Sequence, residues 1–308
     1  MSLLHIIFRR ITSTLYSLQL LLLEAERAWA HSQDLVAQSI LPANEGHAGT
    51  LRHSATGRFR RAVHWSTQLL SHCQSLYTSS RLNASSLIQA TVYTLIMNGR
   101  FLRYREDFED ALIQLGIARS LLDALAERAE TSRDQALATL FADEIGPEIR
   151  YCAHELGREK AYDIDAIVKE LAGRHRGDIV VGYDGLIKTF REERAGAGSA
   201  RDQKMLERLM WEGQPIPVRN PELVDVLLKI QEAEGKLAVP RDTGDAGAVD
   251  DKGKKKGKGL GSKKGVAAYD AVLLALSDAE DVARKLLEAQ QVCWITFLLP
   301  CADCVTEC

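Results

Sequence analysis

Runs in which Val, Ile, Thr and Tyr alternate with polar residues are almost absent from this chain of 308 residues, and aromatic residues make up only 6% of it. That scarcity excludes an architecture dominated by sheets. With Leu and Ala abundant and 46% of residues hydrophobic, the core has to come from helices, so the expected fold class is all-α. No apolar run reaches the ~20 residues that a membrane span needs. Cysteine is sparse where it would staple a fold: Cys73 and Cys152 stand singly in helical patterns, while Cys293, Cys301, Cys304 and Cys308 crowd the C-terminal end. This excludes a disulfide framework and fits a reducing compartment. Cys301 and Cys304 form a C-x-x-C, yet structural zinc joins two separated ligand pairs across a folded loop, so no metal ligand is assigned.

The most informative absence is of negative charge. From Gly46 to Arg105 there is no Asp, Glu or Lys, but there are eight arginines and four histidines. The next fifty residues, Glu106 to Glu155, hold twelve acids against four arginines. A net charge of −3 for the whole chain therefore hides a steep segregation, with one region made for an anionic partner.

At the N-terminus, Arg9 and Arg10 split an apolar stretch, whereas a secretion signal carries its charges ahead of the apolar core and a small-residue cleavage site after it. Residues 1–19 are read as an atypical segment that runs into a helix. Apolar spacing predicts helices near 15–40, 57–78, 84–105, 107–127 and 132–156, then shorter ones near 161–173, 179–193, 201–211 and 220–235. Short joints between them make a series of antiparallel helical hairpins. Residues 241–265, rich in Gly and Lys, cannot bury a core and are expected to be a disordered loop; an amphipathic helix over 266–291 and an atypical Cys-rich tail over 292–308 follow. Residues 20–240 form the expected principal domain.

Within that domain, Gly99 is followed by Leu102, Phe108, Ala111, Leu115 and Ala118 at the offsets of the tetratricopeptide helix-turn-helix unit. Small residues at Gly99, Ala111 and Ala118 let two helices approach closely, while the larger ones fill the groove between them. Any helical hairpin is the plainer alternative, and both give a helical scaffold. On it, Arg100, Arg103 and Arg105 lie near one another on one helix, as do Arg58, Arg61 and His64 on another. Arg52 and Arg60 complete the set of candidate phosphate contacts. A guanidinium donates two parallel hydrogen bonds and stays charged at any physiological pH. Two adjacent helices can present these groups as a common patch; internal pairing with the acid-rich helices is the alternative.

The stretch "EIGPEIRYCAHELG", Glu144 to Gly157, has the residue types of a nucleophile and its base. Ile145, Ile149, Cys152 and Leu156 instead fall at helical spacing on one side, as buried packing requires, and His154 points to a different face. No catalytic residue and no cofactor is expected.

Five stretches in order carry a family resemblance: "LLLLEAERAWAHSQDL" (Leu20 to Leu35), "GRFRRAVHWSTQL" (Gly57 to Leu69), the repeat around Gly99, "EIGPEIRYCAHELG", and "WEGQPIPV" (Trp211 to Val218). With them the chain resembles the 68-kilodalton subunit family of the signal recognition particle over about residues 20 to 290. The resemblance implies a tetratricopeptide-like, all-helical RNA-binding domain that holds the 7S RNA of the particle, a 72-kilodalton partner subunit, and indirect association with the ribosome and the particle's receptor. It implies a place in the cytoplasm, the nucleolus and at the endoplasmic reticulum surface, in cotranslational targeting of secretory and membrane proteins. Arg58, Arg60 and Arg61 match a basic cluster of the family. The chain is expected to lack the arginine-rich segment that family members carry before the "AERAW" helix, and the C-terminal region through which they bind their partner. A helical-repeat scaffold for protein–protein interaction is the alternative function.

Overall fold

The computed structural model describes residues 15–195, 206, 209–216, 218–238 and 260–298. They fall into two compact units, one within Met1–Ala129 and Ala138–Gly198, the other within Glu130–Leu137 and Ser199–Cys308.

The first unit is built from α1 (Leu15–Ile40), a 3₁₀ turn (Pro42–His47), α2 (Ala48–Thr78), α3 (Ala84–Tyr104), α4 (Phe108–Glu127), the greater part of α5 (Ser132–Glu155), α6 (Ile164–Ile179) and α7 (Tyr183–Ala195). Helix α1 packs on α2, α2 on α3, α3 on α4, α4 on α6, and α7 against α3, so the all-α class and the succession of helical hairpins hold. On α2 the buried positions are Ala55, Phe59, Ala62, Ser66, Leu69 and Cys73, a stripe of alternating three- and four-residue steps that faces its neighbours. Helix α3 is buried on nearly all sides, as its apolar composition requires of a central helix. Its N-terminus is capped twice: Asn83 accepts from the Ser86 amide at 3.0 Å, and the Glu193 carboxylate of α7 accepts from the Ala84 amide at 3.1 and 3.2 Å.

The repeat spacing around Gly99 is realised as close packing. A Cβ on Gly99 would lie 2.8 Å from Leu115 Cγ, so only glycine lets α3 approach α4 here. Ala111, Leu115 and Ala118 are fully buried, while Phe108 is half-buried and meets Tyr151 of α5 edge-on at 5.9 Å. In α5, Ile145, Ile149 and Cys152 are buried as expected, but Leu156 is 40% exposed because the helix ends at Glu155. Gly157, at φ +68°, closes that end, with the Arg158 amide donating to Ala153 O at 3.1 Å. Burial pushes the thiols of Cys73 and Cys152 up from 9.0 to about 11, away from nucleophile chemistry.

The second unit contains strands β1 (Leu209–Trp211) and β2 (Gln214–Ile216), α8 (Pro221–Ala238) and α9 (Leu260–Leu298), with α8 packed on α9. Ser132 Oγ accepts from the Leu206 amide at 2.7 Å, and Arg133 pairs with Asp225. Among the described residues no helix is long and apolar enough to cross a membrane.

Several expected boundaries change; the helix expected over 161–173 is α6, which starts at Ile164 and runs on to Ile179. Helix α2 begins at Ala48, not near residue 57, because the chain runs through Gly57 without a break. The helix expected over 201–211 is not formed at its C-terminal end, where Leu209–Trp211 pairs antiparallel with Gln214–Ile216. The reason is local: Glu212 and Gly213 both take positive φ, +50° and +79°, the backbone of a two-residue hairpin turn. Helix α9 extends past both ends of the expected 266–291. Residues 1–14, 241–259 and 299–308, with the basic leader pair, most of the lysine-rich stretch and three of the terminal cysteines, lie outside the described residues.

Candidate nucleic-acid interface

The buried stripe of α2 decides where its arginines go. With Phe59 and Ala62 turned inward, Arg58, Arg61 and Trp65 fall along one flank of the helix, and that flank borders α1. On α1, burial of Leu22, Ala25 and Ala28 leaves Arg27 and His31, four residues apart, on the side that meets this flank. Between the two helices lies a groove of about 560 Å³ bounded by Arg27, His31, Arg58, Arg61, His64 and Trp65. Glu24 is its one acid, and it is held by Arg27 at 2.5 Å. Arg58 and Arg61 are exposed and bond to no described carboxylate, so both forks are open to a ligand. The His64 ring sits beside the Trp65 indole, centroids 5.6 Å apart, and its Nε2 lies 3.1 Å from Gln68 Nε2.

The other sequence candidates are distributed differently. Arg60 lies roughly 200° round the helix from Arg58 and points away from the groove. Arg52 lies on the opposite flank of α2, where its backbone carbonyl accepts from the Tyr104 hydroxyl at 3.3 Å and Tyr104 stacks on Phe59 at 5.7 Å. Both are exposed and bond to no described acid. The arginines of α3 do not join Arg58 and Arg61 in a common patch, because α5 supplies carboxylates to them. Arg100, its side chain only 13% exposed, donates from Nε to Glu148 at 2.8 Å and from Nη2 to Glu144 at 3.0 Å. Its Cζ lies 5.6 Å from the centroid of Trp29, an α1 residue. Burial works against this charge, but Glu148 and Glu144 outweigh it and hold the guanidinium above its ordinary range. Arg103 shares Glu148 at 3.4 Å, and Arg105 pairs with Asp107 at 3.5 Å while its Cζ lies 5.8 Å from the Phe101 ring centroid. Internal pairing is thus what Arg100 and Arg103 adopt.

Arg27, His31 and Trp65 escaped the sequence reading of the site. The four-residue step from Arg27 to His31 was a usable signal; the approach of α1 to Trp65 is tertiary and left no trace in local spacing.

A run of helical hairpins with an arginine-lined groove and an acid-free basic flank defines a class: helical scaffold proteins that present a cationic face to a polyanion. The family described as RNA-binding signal recognition particle 68 matches residues 8–292. The chain is 30% identical over 143 residues to "Signal recognition particle subunit SRP68" of Dictyostelium discoideum. That match covers 46% of this chain and 22% of the relative, so the aligned residues span about a fifth of that protein's length. The chain belongs to the signal recognition particle 68 family. No solved structure matches it.

Proposed function

We propose that this chain is an RNA-binding part of a signal recognition particle subunit and holds the particle's 7S RNA through arginine–phosphate contacts. The observation that carries the reading is the α1–α2 groove, in which Arg58 and Arg61 stand open beside Arg27 with a single acid nearby. Arg52, Arg60 and Arg105 extend the phosphate contacts outside the groove. Arg100 and Arg103 serve the interface as anchors of α3 on α5. Residues 20–240 are the region assigned to RNA binding, with the lysine-rich stretch within 241–265 as an accessory. In this reading the whole protein pairs with the 72-kilodalton subunit, meets ribosome and receptor through the particle, assembles in the nucleolus, and acts in the cytoplasm and at the endoplasmic reticulum surface in cotranslational targeting.

Double-helical RNA hides its base edges in a deep, narrow groove, so such binding rests on backbone charge and shape. The test is titration of the purified 308-residue chain against 7S RNA and an unrelated structured RNA over a range of salt. The expected result is tighter binding to 7S RNA and an affinity that falls steeply with salt. Weak binding to both, insensitive to salt, overturns the reading in favour of a protein-binding scaffold.

A further inference from the structure

Resting on the RNA-binding reading, we propose that the α1–α2 groove is a seat for one unpaired RNA base, stacked on Trp65, with the flanking phosphates held by Arg58, Arg61 and Arg27. A surface that only grips a duplex backbone needs cations at its rim and gains nothing from an indole between them. Here the indole is part of the groove wall. Trp65 lies one helical turn beyond Arg61 and two beyond Arg58, outside the fully buried stripe of α2 that passes through Ala62, Ser66 and Leu69. Across from it, α1 contributes the methyl group of Ala28, which leaves room where a larger side chain would fill the gap. The groove wall therefore joins an apolar pair, Trp65 and Ala28, to three arginines, and its ~560 Å³ falls within the range of small-ligand clefts, roughly 300–1,000 Å³.

The charge decides the class of occupant. Three guanidinium groups face one carboxylate, and that carboxylate is already occupied by Arg27, so the rim favours a chain of negative charges. Of the anionic chains, nucleic acid alone repeats phosphates on either side of a flat π-face. Paired bases keep those faces stacked inside the helix, whereas an unpaired base offers its face to an aromatic side chain. His64, beside Trp65 and within reach of Gln68, lines the groove next to the indole.

The test compares a short RNA hairpin carrying one unpaired adenosine with the same hairpin fully paired, and with one in which the unpaired position is abasic. The protein is the full chain, as wild type, Trp65→Leu and Trp65→Phe, with helix content checked by circular dichroism. Wild type is expected to prefer the unpaired adenosine over both controls by about tenfold. Trp65→Leu is expected to lose that preference with its salt dependence unchanged, and Trp65→Phe to retain most of it. In a double-mutant cycle the abasic site then costs nothing further in Trp65→Leu. The inference is overturned if Trp65→Leu keeps the preference, if the abasic hairpin binds as tightly as the adenosine, or if polyglutamate displaces the RNA as well as unlabelled hairpin does. Salt-sensitive binding of all three hairpins alike overturns the base seat and leaves the RNA reading standing. Failure of wild type to bind any hairpin or 7S RNA removes both.

Discussion

Arg100 Nε donates to Glu148 Oε1 at 2.8 Å, and both side chains are largely buried, at 13% and 15% exposure. The pair fastens α3 to α5 and holds a guanidinium against Trp29 of α1, so three helices meet at one cation. Removing that cation strands Glu148 in a buried site with only Arg103 beside it. Arg100→Ala is therefore expected to destabilise the chain by about 3 kcal/mol. Arg100→Lys keeps the charge but not the fork that reaches both Glu144 and Glu148, and is expected to cost about half as much. Urea denaturation of the three proteins checks the order. An Arg100→Ala variant as stable as wild type contradicts the role of anchor.

Gly99→Ala tests the helix approach on which the repeat depends. The new methyl would stand 2.8 Å from Leu115 Cγ and 2.9 Å from Cδ2, and Leu115 is fully buried and unable to swing aside. Overpacking of this kind costs about 1–3 kcal/mol, against a gain of roughly 1 kcal/mol in helix propensity, so a net loss of about 1 kcal/mol is expected. Leu115→Ala alone leaves a cavity and costs more, about 2–5 kcal/mol. Combined, the two changes are expected to cost less than their sum, because each relieves the other. Strict additivity would show that Leu115 does not press on Gly99.

The helices of the first unit were legible because their apolar residues repeat at helical spacing, and the offsets from Gly99 pointed to the close approach of α3 to α4. At the C-terminal end of the stretch 201–211 the apolar residues fit a helix, whereas "WEGQ" carries a hairpin: Glu212 and Gly213 are a turn pair, and the strands Leu209–Trp211 and Gln214–Ile216 are too short to announce themselves. The site divides in the same way. Charge segregation pointed to the arginines but not to their neighbours. Only the fold decides that Arg58 and Arg61 face α1 while Arg100 and Arg103 face the carboxylates of α5.

The two buried thiols make a pH prediction with a definite sign. In the folded chain Cys73 and Cys152 lose their protons only near pH 11, through burial in both cases, while an unfolded chain loses them near 9.0. Between those values the folded state binds more protons than the unfolded one, so stability falls as pH rises. The contribution is intact below about pH 9 and is lost through about pH 11. Burial, with Glu26 nearby, pushes the Tyr93 phenol up as well, and its contribution has the same sign. Chemical denaturation across this range is expected to show the decline. At neutral pH, both thiols are expected to react with a thiol reagent no faster than the chain opens; fast labelling of either in the folded chain contradicts its burial.

Glu24 gives the groove a change that strengthens binding. Its carboxylate holds the Arg27 guanidinium at 2.5 Å and is the one negative charge on the groove wall. Glu24→Gln removes the carboxylate that competes with the phosphate for Arg27, and with it a repulsion, so RNA affinity is expected to rise a few-fold and the salt dependence to steepen. Arg58→Ala and Arg61→Ala are each expected to do the reverse, weakening binding across sequences and lowering the slope of log affinity against log salt by about one unit. Exposed pairs of this kind contribute little to stability, roughly 0–1 kcal/mol, so none of the three changes is expected to move the denaturation midpoint much. Filter binding at several salt concentrations separates the outcomes. If Glu24→Gln weakens RNA binding instead, Arg27 meets the phosphate only while its carboxylate partner holds it in place.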